Sequence, residues 1–245
     1  MRMKEDHMKN GQLKPAYNWQ LSTNDQFILN YSIHQTTTDT VVLKEHTEDF
    51  YKLYEQYPEK CTADAGYGSE ENYEYLEDKG IEAFVKFNYF HKEQKKKWRL
   101  DPSKVNNLHY SEDKDCLYCP MGQEMSFVGT KTRKTKNNYT QTYQRYQAKN
   151  CQGCPMRGSC FKGKGNRTVE ISKKLTKYKQ TARDKLLSDE GVEKRKQRPA
   201  DVEAVFGQIK NNKKFKRFLL RGKEKVEIEI GLVSIAHNIA KLARI

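Results

Sequence analysis

The sequence lacks long apolar runs. No stretch of about 18 apolar residues occurs in its 245 residues, so we expect no transmembrane helix. The opening MRMKEDHMKNGQ has no apolar core of the kind that a signal peptide needs. We therefore expect a cytoplasmic protein without a membrane partner, whose cysteines stay reduced.

Hydrophobic residues are scarce as well. They make up 36% of the chain against 32% for charged residues, and the mean hydropathy is −1.01. The apolar core is therefore lean, and much of the chain must be solvated or rest on a charged partner. The length suits one large domain, or one domain with an insertion.

Acidic residues are outnumbered only in the later part of the chain. Residues 1–90 contain 9 Lys and Arg and 16 Asp and Glu, a balance of −7, whereas residues 91–245 contain 37 and 16, a balance of +21. This asymmetry predicts that the later part contacts nucleic acid, and the alternative is an ordinary solvated basic surface. Charge does not indicate which nucleic acid.

Residues 1–88 show the alternation of an α/β fold. AYNWQLSTNDQFILNYSIHQ (16–35) predicts a hairpin that turns at Thr23–Asp25. Strands are predicted at 60–65 and 81–87, on either side of a helix that Ser69 caps and Gly80 ends. A helix is also predicted over 39–57. Its expected apolar face consists of Leu43, Phe50, Leu53 and Tyr54. The order β-β-α-β-α-β predicts a mixed sheet with flanking helices.

The rest of the chain divides into an insertion and a helical part. Residues 89–170 have weak periodicity and are predicted to be an insertion, with strands at 124–129 and 139–147. Residues 171–245 are predicted to complete the core with helices, one of them starting at Pro199. Its buried face is predicted from Val202, Val205, Phe206 and Ile209. The closing VEIEIGLVSIAHNIAKLARI is apolar on most sides and is predicted to pack into the core, with His237 as a satisfied core residue.

Two carboxylates stand out by position. Asp64 ends a predicted strand, and Glu203 lies on a late helix. Mg²⁺ binds a few carboxylates and keeps several waters, and two such ions can activate an attacking oxygen and stabilise a leaving one. The alternatives are a turn residue at Asp64 and a solvated helix residue at Glu203.

Four segments resemble one family. ADAGYGSEENYEYL (63–76) and RPADVEAVFGQIKNNKKFKRFLLRG (198–222) resemble the second and third catalytic blocks of bacterial insertion-sequence transposases of the DDE type. MKNGQLKPAYNWQL (8–21) and EIGLVSIAHNIAKLA (229–243) resemble other parts of the same family. The resemblance implies a ribonuclease-H-like core that nicks transposon ends and transfers strands with two divalent metals, normally Mg²⁺.

The resemblance also implies roles for individual residues. Asp64 corresponds to the second catalytic Asp, Glu203 to the Glu and Lys210 to a lysine near the DNA backbone. The family's arginine lies four residues before the Glu, where this chain has Pro199, and Arg198 is one residue off. Together with the basic run that follows, the predicted DNA contacts are Arg198, Lys210, Lys213, Lys214, Lys216, Arg217 and Arg221.

The family's first catalytic Asp precedes the hairpin, and neither Asp6 nor Asp25 matches it. We therefore expect the C-terminal part of a transposase from a truncated or split gene, acting on transposon ends as a homo-oligomer or with a full-length transposase. The alternative is a non-catalytic DNA-binding remnant that inhibits a full-length relative. A stand-alone nuclease with this core is a third interpretation.

The cysteines suggest a second metal. Cys61 is predicted to be a small core residue. The others form Cys116-x2-Cys119 and Cys151-x2-Cys154, 31 residues apart, followed by Cys160. This pattern favours tetrahedral zinc, with Cys160 able to replace Cys116, and the alternative is free buried thiols. Tyrosines interleave with basic residues nearby and predict either DNA contact or a hairpin pairing face. They are Tyr139, Tyr143 and Tyr146, among Lys131, Arg133, Lys134, Lys136 and Arg145.

Overall fold

The computed structural model describes residues 2–5, 8 and 10–244, and Asp6 lies outside them. The described strands are β1 (Arg2–Glu5), β2 (Leu13–Ala16), β3 (Asn18–Asn24), β4 (Phe27–His34), β5 (Lys60–Ala63), β6 (Glu82–Val85), β7 (His109–Ser111), β8 (Cys116–Tyr118), β9 (Glu124–Lys134), β10 (Thr140–Ala148) and β11 (Thr168–Ile171). The predicted strands at 124–129 and 139–147 are confirmed, and β9 runs further than expected.

The α-helices lie before residue 100 and after residue 172. They are α1 (Leu43–Tyr54), α2 (Glu70–Asp78), α3 (Phe90–Glu93), α4 (Lys96–Arg99), α5 (Lys173–Leu187), α6 (Asp189–Arg198), α7 (Ala204–Gly207) and α8 (Lys223–Leu242). Within the described residues, no helix is long and apolar enough to cross a membrane.

The chain forms two compact units. The first unit contains residues 1–87 and 182–245, and the second contains residues 88–181. The boundary on the C-terminal side falls within α5. The division into 1–88, 89–170 and 171–245 stays a prediction.

The mixed α/β class is confirmed, but the strands do not form one mixed sheet. Within the described residues, β1–β2 and β3–β4 are separate antiparallel pairs, β5–β6 is a parallel pair, and β11-β10-β9-β8-β7 is an antiparallel sheet. The segments that connect paired strands explain whether the strands run antiparallel or parallel. A two-residue turn between β3 and β4 forces antiparallel pairing, whereas helix α2 between β5 and β6 permits parallel pairing.

The hairpin turns later than predicted. Asp25 and Gln26 occupy the turn with φ of 47° and 64°. Two consecutive positive φ angles match the twist of the flanking strands, which is why two-residue hairpin loops favour them. An irregularity between Ser22 and Thr23 shifts the register of β3 before the turn.

The predicted apolar face of α1 is confirmed at Leu43, is partly buried at Phe50 and is wrong at Leu53 and Tyr54. Leu53 is 63% exposed and Tyr54 is 43% exposed, whereas His46 and Thr47 are buried. The helix packs on polar positions of the hairpin, where Ser22 and Ser32 hydrogen-bond the two ring nitrogens of His46 at 2.8 and 2.7 Å. The spacing of apolar residues does not predict a helix face that is buried but polar.

Pro199 does not begin a new helix. The chain stays helical from α6 through a wide turn at 199–203, then α7, then a second wide turn at 208–212. Proline lacks the N–H that the preceding turn requires, and a wide π-type turn accommodates that loss without ending the helix. The predicted buried face is confirmed at Val205 and Ile209, which pack with Ile28 of the hairpin.

The last helix is buried on one side only. Val226 and Ile230 pack with Ile33 of the hairpin. His237 is buried and its Nε2 lies 3.0 Å from the Gln26 carbonyl oxygen, which confirms it as a satisfied core residue. The other face carries apolar side chains that are about 60% exposed. They are Ile228, Leu232, Ile235, Ile239 and Leu242.

Candidate active site

The parallel pairing of β5 with β6 brings two charged residues to one edge. Ala63 pairs with Val85, so Asp64 and Lys86 both follow the carboxyl ends of these strands. Lys86 Nζ lies 3.1 Å from Asp64 Oδ1. Lys86 was not predicted from the sequence, because only the register of the strand pair shows that it faces Asp64.

The turn after Asp64 depends on a close backbone approach. Asp64 is extended, and Ala65–Tyr67 forms one 3₁₀ turn before Gly68. A Cβ on Gly68 would lie 2.3 Å from the Lys86 carbonyl oxygen. Ser69 then caps α2 by accepting a hydrogen bond from the Asn72 amide at 3.2 Å, as predicted. The glycine therefore lets the Asp64 turn lie directly against the end of β6.

Asp39 is a further carboxylate beside this turn. It accepts hydrogen bonds from the Asn18 and Gln20 side-chain amides at 2.8 and 3.3 Å. A Cβ on Gly66 would lie 3.1 Å from Asp39 Oδ2. No sequence signal singled out Asp39, since its neighbours come from the hairpin and from the turn.

Arg198 joins the two predicted catalytic carboxylates. Its guanidinium lies 3.5 Å from Asp64 Oδ2 and 3.2 Å from Glu203 Oε1. The arginine side chain is only 13% exposed, whereas Asp64 is 53% and Glu203 is 64% exposed. Glu203 ends the wide turn that starts at Pro199, so this irregular helix segment carries both Arg198 and Glu203 to the strand-end carboxylate.

Residues 118–243, more than half of the chain, match the family described as transposase DDE domain. The chain belongs to this DDE transposase family. No curated protein and no solved structure matches it. The matched part of the transposase includes Arg198 and Glu203, and Asp64 precedes it.

The charges around Asp64 favour its ionised form. Burial opposes ionisation, but the charge of Arg198 and the hydrogen bond from Lys86 outweigh burial, so the pKa of the Asp64 carboxyl lies below its usual value. An ionised, half-exposed carboxylate is a suitable Mg²⁺ ligand, and so is the exposed Glu203. Within the described part of the chain, no three His, Cys, Asp or Glu side chains converge closely enough to hold an ion.

The predicted DNA-contacting residues of the transposase lie mainly on an exposed irregular segment. Phe215 and Phe218 anchor it by edge contacts with Trp19 at 6.2 and 6.4 Å between ring centroids. Lys213 Nζ donates to the Ala236 carbonyl at 3.2 Å, and burial lowers the Lys213 pKa, with a smaller contribution from Arg244. The exposed basic side chains are Lys210, Lys213, Lys214, Lys216, Arg217 and Arg221.

The cysteines of the second unit occupy two different environments. Cys119, Cys151, Cys154 and Cys160 line one cavity of about 260 Å³. Cys116 lies within β8 and is 1% exposed, and it is not among the residues lining this cavity. In the first unit, Cys61 is partly buried, and burial raises the pKa of its thiol to about 11. The core role of Cys61 stays a prediction.

The tyrosines fit the hairpin interpretation. Tyr143 pairs with Lys131, and Tyr146 pairs with Phe127, across β9 and β10. Tyr146 is 1% exposed and belongs to the core of the sheet. Three of the neighbouring basic side chains pair with the carboxylate of Glu170. They are Lys131, Arg133 and Arg145.

Proposed function

We propose that this transposase cleaves and transfers DNA strands at transposon ends, with Asp64 and Glu203 as Mg²⁺ ligands in a ribonuclease-H-like core. One observation carries the proposal: two carboxylates from distant parts of the sequence contact the same guanidinium, that of Arg198. Each alone would be an ordinary surface carboxylate, whereas here both meet at one guanidinium. Arg198 and Lys86 balance their charges in this structure, and divalent ions bound at the site would displace these contacts.

The arrangement of elements supports the proposed core. A hairpin, a helix and a parallel strand pair follow one another in the first unit, and Asp64 leaves the carboxyl end of β5. The late helix packs Val205 and Ile209 on the hairpin, which leaves Glu203 exposed beside Arg198. A strand-end carboxylate and a helical carboxylate are thereby held by separate rigid elements, as a precise site requires.

The charged groups of the site have separate proposed roles. Divalent ions bound there would activate the attacking oxygen and stabilise the leaving one. Asp64 and Glu203 would hold them, while Lys86 keeps Asp64 ionised and oriented. The exposed basic side chains of the 210–221 segment would hold the DNA backbone through phosphate contacts, which position the strand without reading its sequence.

The test is nicking of end-labelled DNA from the element's terminus by the purified chain with Mg²⁺ or Mn²⁺. Asp64→Asn and Glu203→Gln remove one charge each and keep the side-chain size. We expect each to reduce nicking about 100-fold or more, because both should act on the transition-state charge. Asp113→Asn changes an exposed carboxylate of the second unit and should leave nicking unchanged.

A second candidate is DNA binding without cleavage. It is favoured because, in the described residues, only two carboxylates meet at Arg198 and no third ligand joins them. If the wild type binds the terminal DNA but does not nick it, and neither substitution changes binding, this second function replaces the first.

A further inference from the structure

We propose that the second unit holds one structural zinc ion through Cys119, Cys151, Cys154 and Cys160. The inference concerns a site away from the carboxylates and does not depend on the catalytic proposal. Its starting observation is that these four cysteines line a single cavity, although one comes from the end of β8 and three from the segment between β10 and β11. Four thiolates are the ligand set of a closed structural zinc site.

The backbone presents these sulfurs from tight turns. Gly153, between Cys151 and Cys154, has φ of +68°, which allows the chain to double back between the two cysteines. Cys119 opens a similar turn that closes at Gly122, whose φ is +73° and whose amide donates to the Cys119 carbonyl at 2.8 Å. The Arg167 amide donates to Cys151 Sγ at 3.3 Å, and hydrogen bonds to ligand atoms are typical of the surroundings of a metal site.

Arg167 supplies the second argument, which is electrostatic. Its side chain is 6% exposed, and the guanidinium donates to Cys160 Sγ at 2.8 Å and to the Ser103 carbonyl at 2.7 Å. A buried guanidinium beside neutral thiols would be an uncompensated charge, which is costly. A zinc ion with four thiolates carries a net charge of −2, so the buried arginine would then be compensated.

Cys116 is excluded by its position. It lies inside strand β8, is 1% exposed and is not among the residues that line the cavity. The proposed ligand set therefore takes only Cys119 from the Cys116-x2-Cys119 pair, with Cys160 in place of Cys116.

The segment 149–167 is held mainly by polar contacts. Its contacts are polar: Arg157 donates to the carbonyls of Cys151, Gly163 and Lys164, each at 2.7 Å, and Asn166 contacts both Lys149 and Cys151. Long irregular segments with few apolar residues commonly need a metal or disulfide. All six cysteines are free of disulfides, so a zinc ion would add the cross-link that such a segment commonly needs.

Zinc binding requires the four thiols to close in on the ion, because no three of them converge to ligand distance among the described residues. The site is therefore expected to tighten when loaded. Lys162 and Lys164 are exposed in this segment and give a direct readout, since trypsin should cleave there faster after the metal is removed.

The experiment measures zinc per chain in the full-length protein, purified without chelator, by plasma mass spectrometry. We expect one zinc in the wild type and in Cys116→Ser and Cys61→Ser. Cys154→Ser and Cys160→Ser should lose it. Because a ligand variant can fail to fold, the wild type is also reconstituted with Co²⁺, which should give tetrahedral d–d bands and thiolate charge-transfer absorption.

Two results would overturn the proposal. One is wild-type protein that contains no zinc and gives no thiolate absorption with Co²⁺. The other is loss of zinc in Cys116→Ser together with its retention in Cys119→Ser, which would mean a different ligand set. Faster tryptic cleavage at Lys162 and Lys164 after metal removal would support the closure of the segment on the ion.

Discussion

The two units of this chain hold their candidate site residues in different ways. In the first unit, the helix that carries Glu203 is fixed by apolar contacts, with Val205 and Ile209 fully buried against the hairpin. In the second unit, the sheet has a compact apolar core, but the cysteine-bearing segment beyond it is held by Arg157 and Asn166. The carboxylate site thus rests on packing, whereas the thiol site rests on hydrogen bonds and, by our proposal, on zinc.

The strongest test of this contrast is Ile209→Ala. Removing a fully buried isoleucine should cost about 2–5 kcal/mol, because a cavity remains where the side chain packed on Ile28. We expect amides of β3, β4 and α8 to exchange faster in hydrogen-exchange mass spectrometry, while β9 and β10 keep their protection.

Leu232→Ala is the matched control, since this leucine is 64% exposed on α8. It should change exchange rates little. Equal loss of protection in β9 and β10 after Ile209→Ala would show that the apolar core of the first unit also supports the second, and the contrast between the units would fail.

The second prediction concerns the polar contact between α1 and the hairpin. Burial, with a smaller contribution from His34, lowers the pKa of His46 to about 4 from its ordinary value of 6.5. The unfolded chain therefore binds the proton more readily than the folded one. The contribution of neutral His46 to stability is fully present above pH 6.5 and declines as the pH falls to 4. The free energy of unfolding should fall by roughly 3 kcal/mol over this range.

Denaturant unfolding between pH 7 and pH 4 measures this loss, followed by the fluorescence of Trp19 in a Trp98→Phe background, because Trp98 lies in the second unit. His46→Gln should start less stable but should show a shallower decline, because the titrating group is gone. His34, whose pKa burial also lowers, accounts for part of the remaining slope. His109→Gln, an exposed histidine in the second unit, should leave the decline unchanged, and an undiminished slope in His46→Gln would contradict the assignment.

Sequence reasoning succeeded where one local rule determined the outcome. The Ser69 cap, the hairpin of 16–35 and the buried positions Val205 and Ile209 follow from capping chemistry and periodicity, and the structure has all three. The proximity of Asp64 and Glu203 followed only from the family resemblance. Periodicity alone gave each of them an ordinary surface role.

The predictions that failed share a different cause: the residues concerned contact partners that are distant in sequence. The buried face of α1 is polar because Ser22 and Ser32 of the hairpin contact His46. Lys86 and Asp39 reach the Asp64 turn only through strand register and hydrogen bonds from the hairpin. The helix continued through Pro199 because a wide turn absorbed the missing N–H, and proline statistics favour a helix start there.

The smallest expected effect comes from replacing Arg157, and it tests whether hydrogen bonds hold the cysteine-bearing segment of the second unit. Arg157→Lys keeps the charge but cannot span the three carbonyl oxygens of Cys151, Gly163 and Lys164, so local opening should become easier by about 2 kcal/mol. Limited trypsin digestion should cleave about 30-fold faster at Lys162 and Lys164, with exchange in β3 and β4 unchanged. Arg99→Lys, at an exposed position of the same unit, is the control. Zinc measured in the same samples separates two causes. Faster cleavage with zinc retained means that the arginine stabilises the segment directly. Unchanged cleavage with zinc retained means that the metal alone holds the segment.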